Sequence, residues 1–122
     1  CLIRSLMGFM FVVVCKEQLL ELNASDTWPF NFTKLGRYWD SKTEIDIAAL
    51  DPEGKNLILG ECKYWQEPVD VDVFRDLEAK TTSVSWERNN RKVWYVLFSI
   101  SGFTDELKAM ASSRKDLLLC NC

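Results

Sequence analysis

The segment Asp51-Pro52-Glu53-Gly54-Lys55-Asn56 constrains this chain more than any other, because it joins two apolar runs of strand length. Proline presets φ at the start of a turn, and glycine accepts the positive φ within it. The flanking runs, residues 44–50 and 57–64, are then expected to pair as an antiparallel hairpin. In a strand, residues i and i+2 share a face. Glu61 and Lys63 therefore project together while Cys62 points the other way, and Asp46 on the partner strand arrives beside them. Two carboxylates and an ammonium converge on one face. Glu44 shares the Asp46 face by the same alternation and is the rival acid.

The rest of the chain reads as helices and strands around this hairpin. Residues 3–22 form one helix, ended by Asn23-Ala24-Ser25-Asp26. Its apolar stretch, residues 6–15, is too short to span a bilayer and has no small-residue cleavage box, so a buried helix is expected and no membrane partner. Trp28-Pro29-Phe30 is a connector packed on the domain. Residues 34–39 form a strand with Gly36 as a bulge. After Pro68 the period changes: Val73, Leu77, Lys80 and Val84 lie on one stripe beside Phe74, predicting a helix capped by Asp70 or Asp72. Arg88-Asn89-Asn90-Arg91 is a polar loop. Residues 92–99 are apolar enough for a strand buried on both faces. Thr104 caps a helix carrying Leu107, Met110 and Ala111, and residues 116–120 make a last strand. The order α-β-β-β-α-β-α-β predicts an α/β chain of α+β type, with a mixed sheet and helices against it, in one domain over residues 1–122.

Composition removes several kinds of chemistry. The chain has 122 residues, 48% of them hydrophobic, enough for one real core. It contains no histidine, which excludes Ser-His-Asp triads, Cys-His nucleophiles and histidine-ligated zinc. Five cysteines without paired CxxC spacing argue against a disulfide framework or a zinc site and predict reduced thiols in a cytoplasmic protein. The net charge of −3 gives no global basic footprint, so contact with nucleic acid would need a local patch. No glycine-rich phosphate loop is present, so this piece is not expected to bind or hydrolyse ATP.

Carboxylates and lysine remain. Hard divalent ions take one or two carboxylates together with water and phosphate oxygens, which Asp46 and Glu61 satisfy, with the Cys62 carbonyl as a further ligand. Lys63 would position a water and stabilise charge building on phosphorus. A structural alternative is a salt-bridge network among the same residues, in which removing Glu61 or Lys63 destabilises the fold.

An acid on the second strand, Glu-x-Lys on the third, and the helices around them resemble the PD-(D/E)XK nuclease superfamily. More closely, Leu35-Gly36-Arg37-Tyr38-Trp39, residues 44–50, Gly60-Glu61-Cys62-Lys63-Tyr64-Trp65 and Leu97-Phe98-Ser99-Ile100-Ser101-Gly102-Phe103 resemble domain-of-unknown-function family 234. Members of that family typically form the C-terminal domain of bacterial and archaeal AAA-type ATPases. The resemblance implies a restriction-endonuclease-like core and Mg²⁺- or Mn²⁺-dependent cleavage of nucleic acid, DNA above all, with the ATPase portion of the same protein as partner. It makes Asp46 and Glu61 metal ligands and Lys63 the residue assisting water. It also puts Lys80 where related nucleases carry a further polar or basic active-site residue. The chain departs from the pattern in its first helix, where Phe11 is followed by Val12 rather than an acid. Glu17 and Glu21 are the candidate replacements, and an inactive nucleic-acid-binding or regulatory module is the alternative function.

Trp39, Trp65, Trp86 and Trp94 are read as packing groups rather than base-stacking platforms. Arg37, Arg88, Arg91 and Lys92 are read as solvated charges rather than phosphate contacts. Ser101-Gly102 is read as turn chemistry.

Overall fold

A computed structural model of the protein describes residues 2–85 and 91–122, with side chains from residue 6 onward. Trp86, Arg88, Asn89 and Asn90 lie outside the described residues, as does Cys1. The elements are α1 (Leu2–Ala24), β1 (Lys34–Trp39), β2 (Glu44–Leu50), β3 (Asn56–Lys63), α2 (Val71–Lys80), a 3₁₀ turn (Thr81–Ser83), β4 (Lys92–Ser99), α3 (Asp105–Ser112) and β5 (Leu117–Asn121). Among the described residues this is the order expected from the sequence. The five strands form one mixed sheet in chain order, antiparallel from β1 to β3 and parallel from β3 to β5.

The turn at 51–56 is organised by Asp51. Its Oδ1 accepts the backbone N–H groups of Lys55 at 2.9 Å and Asn56 at 3.2 Å, and its Oδ2 accepts Asn56 Nδ2 at 2.9 Å. Gly54 supplies the left-handed residue at φ 70°. From there β2 and β3 pair as Leu50–Leu57, Ala49–Ile58, Ala48–Leu59 and Ile47–Gly60.

Alternation separates two cores. Leu57, Leu59 and Ala48 face α2 and α3, packing with Phe74, Leu77, Tyr95, Leu97 and Leu107. Ile58, Ile47 and Ala49 face α1, packing with Phe11, Cys15, Leu19, Val96 and Phe98. Phe74 meets Tyr95 edge-on at 5.2 Å, and truncating a fully buried side chain such as Leu77 to Ala should cost about 2–5 kcal/mol. Gly60 lies where the strands approach most closely: a Cβ there would stand 2.8 Å from Val96 Cγ1 and 3.1 Å from Val96 O. The residue before Glu61 therefore has to lack a side chain.

Capping explains both later helices. Asp70, not Asp72, caps α2, accepting the Val71 N–H at 2.7 Å. Thr104 caps α3 through Leu107 N–H and donates its hydroxyl to Asp70 Oδ1 at 2.8 Å, tying the two helix starts together.

Two expectations are corrected. α1 buries only the stripe Phe11, Cys15 and Leu19, at i, i+4 and i+8; Leu6, Phe9, Met10 and Leu20 are at least half exposed. No helix among the described residues is long and apolar enough to cross a membrane. The bulge also lies elsewhere than at Gly36. Gly36 pairs with Ala48 and Tyr38 with Ile45, so two steps along β1 match three along β2. The extra residue is in β2, where Asp46 and Ile47 together face Arg37.

The candidate active site

That bulge positions the first acid. Ile45 and Ala48, three residues apart, both face the α2 side, while Ile47 faces α1. Asp46 therefore escapes strict alternation. Its half-buried carboxylate turns to the β3 backbone, where Oδ2 accepts the Cys62 N–H at 3.0 Å. Glu44, expected to share its face, is exposed and pairs with Arg37 Nη2 at 3.0 Å instead. The rival acid is removed by the bulge.

Glu61 is the second acid, 5% exposed on the α2 face. Burial in the apolar layer, a hydrogen bond shared with Asp46 and repulsion from Asp46 raise its pKa from 4.5 to about 7, against the opposing pull of Lys80 and Lys63. Lys80 Nζ reaches Glu61 Oε1 at 3.2 Å and also donates to the Glu44 carbonyl at 3.0 Å. The last turn of α2 is thereby strapped to the start of β2 and the end of β3, so Lys80 is not a solvated helix lysine.

Lys63 projects beside Glu61 as alternation requires, but no ion pair to either acid is formed. Its ammonium rests over the Trp65 ring, 5.0 Å from the centroid. Glu61, Lys63, Trp65, Asp72, Asp76 and Lys80 line one cleft of about 380 Å³. Asp46, Glu61, Lys63 and Lys80 are thus brought together. Cys62 presents its N–H to Asp46, while its thiol lies in the α1 layer, where a hydrogen bond with Cys15 and burial push its pKa up.

The cleft also holds three residues that the sequence reading did not place there, Asp72, Asp76 and Trp65. Asp72, Asp76 and Lys80 recur at intervals of four, the spacing of one helix face, and that period was available in the sequence. Trp65 follows Lys63 by two residues, the strand spacing that stacks it beneath the ammonium.

Other candidates stand apart. Glu17 and Glu21 are exposed on α1, which packs on the opposite face of the sheet. Among the described residues no three acids or cysteines are placed to hold a metal ion, so neither glutamate replaces the absent first-helix acid. Arg91 donates to the carbonyls of Val84 and Thr81 at 2.6 and 2.7 Å and is a structural clamp. Lys92 lies over Trp94, 4.5 Å from the ring centre. Trp94 is buried as expected, whereas Trp39 and Trp65 are exposed, which corrects their reading as packing groups. Ser101 is turn chemistry: its hydroxyl donates to the Trp65 carbonyl. The cysteines at 15, 62, 120 and 122 are free thiols.

The donor chemistry suits a hard cation. Asp46 raises the cost of ionising Glu61, and a divalent ion beside Glu61 would relieve it. The competing cation is the Lys80 ammonium.

Known structures share this architecture. A repair endonuclease from Pyrococcus abyssi superposes with a TM-score of 0.57 at 14% identity, covering 88% of this chain and 45% of that one. A complex of EndoMS with double-stranded DNA gives a TM-score of 0.50 at 16% identity, covering 88% and 44%. The fold is therefore the nuclease-like one. In sequence, an uncharacterised protein of Methanocaldococcus jannaschii, MJECL04, is 42% identical over 81 residues, which are 64% of this chain and 18% of that protein. The chain thus spans under a fifth of that relative. The profile of domain-of-unknown-function family 234 (DUF234), archaeal and bacterial proteins of unknown function, matches residues 2–87, and the chain belongs to this family.

Proposed function

We propose that this chain is a Mg²⁺- or Mn²⁺-dependent nuclease domain that hydrolyses phosphodiester bonds in DNA and is carried by a longer AAA-type ATPase. The observation that carries the reading is a cleft lined by Glu61, Lys63 and Lys80, with Asp46 close enough to Glu61 to help raise its pKa to about 7. The nuclease-like fold supports it, as does the much greater length of the jannaschii relative.

Asp46 and Glu61 would hold the ion, with the Cys62 carbonyl as a further ligand. When bound, the ion would polarise a phosphoryl oxygen and lower the pKa of a water. The chain's own groups have separable tasks. Glu61 gives up its proton near neutral pH and is then the ionised carboxylate that a hard cation needs. Lys80 holds the Glu61 carboxylate in place from α2. Lys63, unpaired with either acid, swings on its flexible stem from Trp65 to a phosphate oxygen and places a donor where negative charge develops.

Calorimetric titration with Mg²⁺ or Mn²⁺, run beside plasmid cleavage in the same buffers, tests this. Metal binding and cleavage are expected in the wild type and loss of both in Asp46→Ala. Lys63→Ala should bind metal and cut at least 100-fold more slowly, the scale of one lost charge-stabilising donor. A folded wild type with neither metal binding nor cleavage overturns the reading. One observation favours a second reading, a nucleic-acid-binding or regulatory module without catalysis: the Lys80 ammonium already neutralises Glu61, and no third acid completes the pair among the described residues. That reading expects nucleic-acid binding with no cleavage and little effect of Lys63→Ala.

A further inference from the structure

Two tryptophans stand out of the core. Trp39 and Trp65 are 66% and 38% exposed, whereas Trp28 and Trp94 are each 7% exposed. Trp39 ends β1, and Trp65 lies two residues beyond the end of β3. Because β1, β2 and β3 alternate in direction, both leave the sheet at the end that carries Asp46 and Glu61. Each indole carries a cation on its face: Arg37 at 5.6 Å on Trp39 and Lys63 at 5.0 Å on Trp65.

Trp65 is the better placed of the two. Its carbonyl is held by the Ser101 hydroxyl, which fixes the mount of the ring. Trp65 lines two hollows at once, the acid-lined cleft and a groove of about 510 Å³ formed with Tyr64, Gln66 and Glu67. It is the residue common to the two.

Charge decides which nucleic acid suits this surface. A protein tracking duplex draws its affinity from some 6–10 phosphate contacts made by lysine and arginine. This chain carries a net charge of −3. Near the cleft, Lys80 is engaged by Glu61 and Arg37 by Glu44, while Asp72 and Asp76 line the cleft wall. Base stacking on an aromatic ring contributes about 1–3 kcal/mol per base and needs no phosphate contact. Only an unpaired base offers the π-face that an indole can use.

We infer that Trp65 is a stacking platform for an unpaired base of single-stranded nucleic acid, placing the adjoining phosphate in the cleft of Glu61 and Lys63. The location rests on the nuclease reading; the stacking does not require cleavage. Lys63 then serves twice, covering the ring when empty and reaching the phosphate when a base takes its place.

The test is binding by anisotropy in metal-free buffer with chelator, so that cleavage plays no part. The probes are a labelled oligodeoxythymidine of roughly ten nucleotides, within the range that one such surface spans, and a blunt duplex of equal length. The single strand should bind at least about ten-fold more tightly than the duplex and quench tryptophan fluorescence. Trp65→Ala should weaken it about ten-fold, the lower to middle part of the stacking range. Trp65→Phe, which keeps a π-face, should restore most of that loss and shows that the Ala effect is not misfolding. Equal affinity for duplex, no binding of either probe, or unchanged binding in a folded Trp65→Ala overturns the inference. Trp65-dependent binding without cleavage in Mg²⁺ sinks the nuclease reading and leaves the platform standing. Cleavage by a Trp65→Ala protein that binds like wild type does the reverse.

Discussion

The two ends of the β2–β3 hairpin each bury a carboxylate, and they treat it oppositely. Asp51 is 8% exposed and Glu61 5%. Burial pushes both pKa values up. At Asp51 that push is outweighed by Asn56, through side chain and backbone, and by the N–H groups of Lys55 and Gly54, so its pKa falls. At Glu61 burial is reinforced by the neighbouring Asp46, the two together outweigh Lys80 and Lys63, and the pKa climbs to about 7. Similar exposure with opposite shifts separates a carboxylate satisfied by its own surface turn from one set in the apolar layer beside another acid. The first is satisfied by the chain; the second is left wanting a cation, and Lys80 meets the need from one side only.

The largest test of this contrast is Glu61→Gln. The folded pKa of Glu61 lies above its ordinary 4.5, so its contribution is fully present below that pH and is lost as pH rises toward about 7. Wild type should lose about 3 kcal/mol of stability across that window, and Glu61→Gln should not. Urea melts at closely spaced pH values read the slope; identical slopes would show that Glu61 is not strained. Metal sharpens the same comparison: binding Mg²⁺ should expel the proton, so affinity should climb by about ten-fold per pH unit below 7 and level off above it. Next in size is Asp51→Ala, which orphans three donors and should cost about 2 kcal/mol at pH 7. Because the Asp51 pKa is lowered, that cost should shrink as pH falls through the carboxylate range, while metal titration stays unchanged. Smallest is Lys80→Met, expected to cost about 1 kcal/mol more at pH 8, where Glu61 is ionised and loses its partner, than at pH 5, where Glu61 holds its proton and only the bond to the Glu44 carbonyl is lost. An equal loss at both pH values would make Lys80 a packing residue.

Much of this was legible in the sequence, and the gaps have physical reasons. The turn at 51–56, the Glu61/Lys63 face, the Thr104 cap and the order of elements follow from local chemistry and period, and they hold in the structure. The choice between Glu44 and Asp46 could not be read, because it hangs on one extra residue in β2 whose partner strand lies several residues away. Exposure of Trp39 and Trp65 was hidden for a similar reason: a tryptophan next to a strand end is apolar whether or not a helix comes to cover it. α1 misled by composition, since its apolar residues go all round while the sheet has room for one stripe. Only the resemblance pointed to Lys80, because its two acceptors, Glu44 O and Glu61 Oε1, are distant in sequence.

The bulge in β2 also makes the site sensitive to length as well as to identity. Ile47 faces the α1 layer and Asp46 does not. Deleting one residue at that point would restore plain alternation and drop Asp46 into the slot of Ile47, beneath Phe11 and Cys15. A single lost codon would then cost the centre its acid and the second core its seal in one event. Most substitutions along the strand would trouble only one of the two. Among relatives of this chain, the spacing between the acid and the turn that follows it should therefore be more rigidly kept than the residues in between.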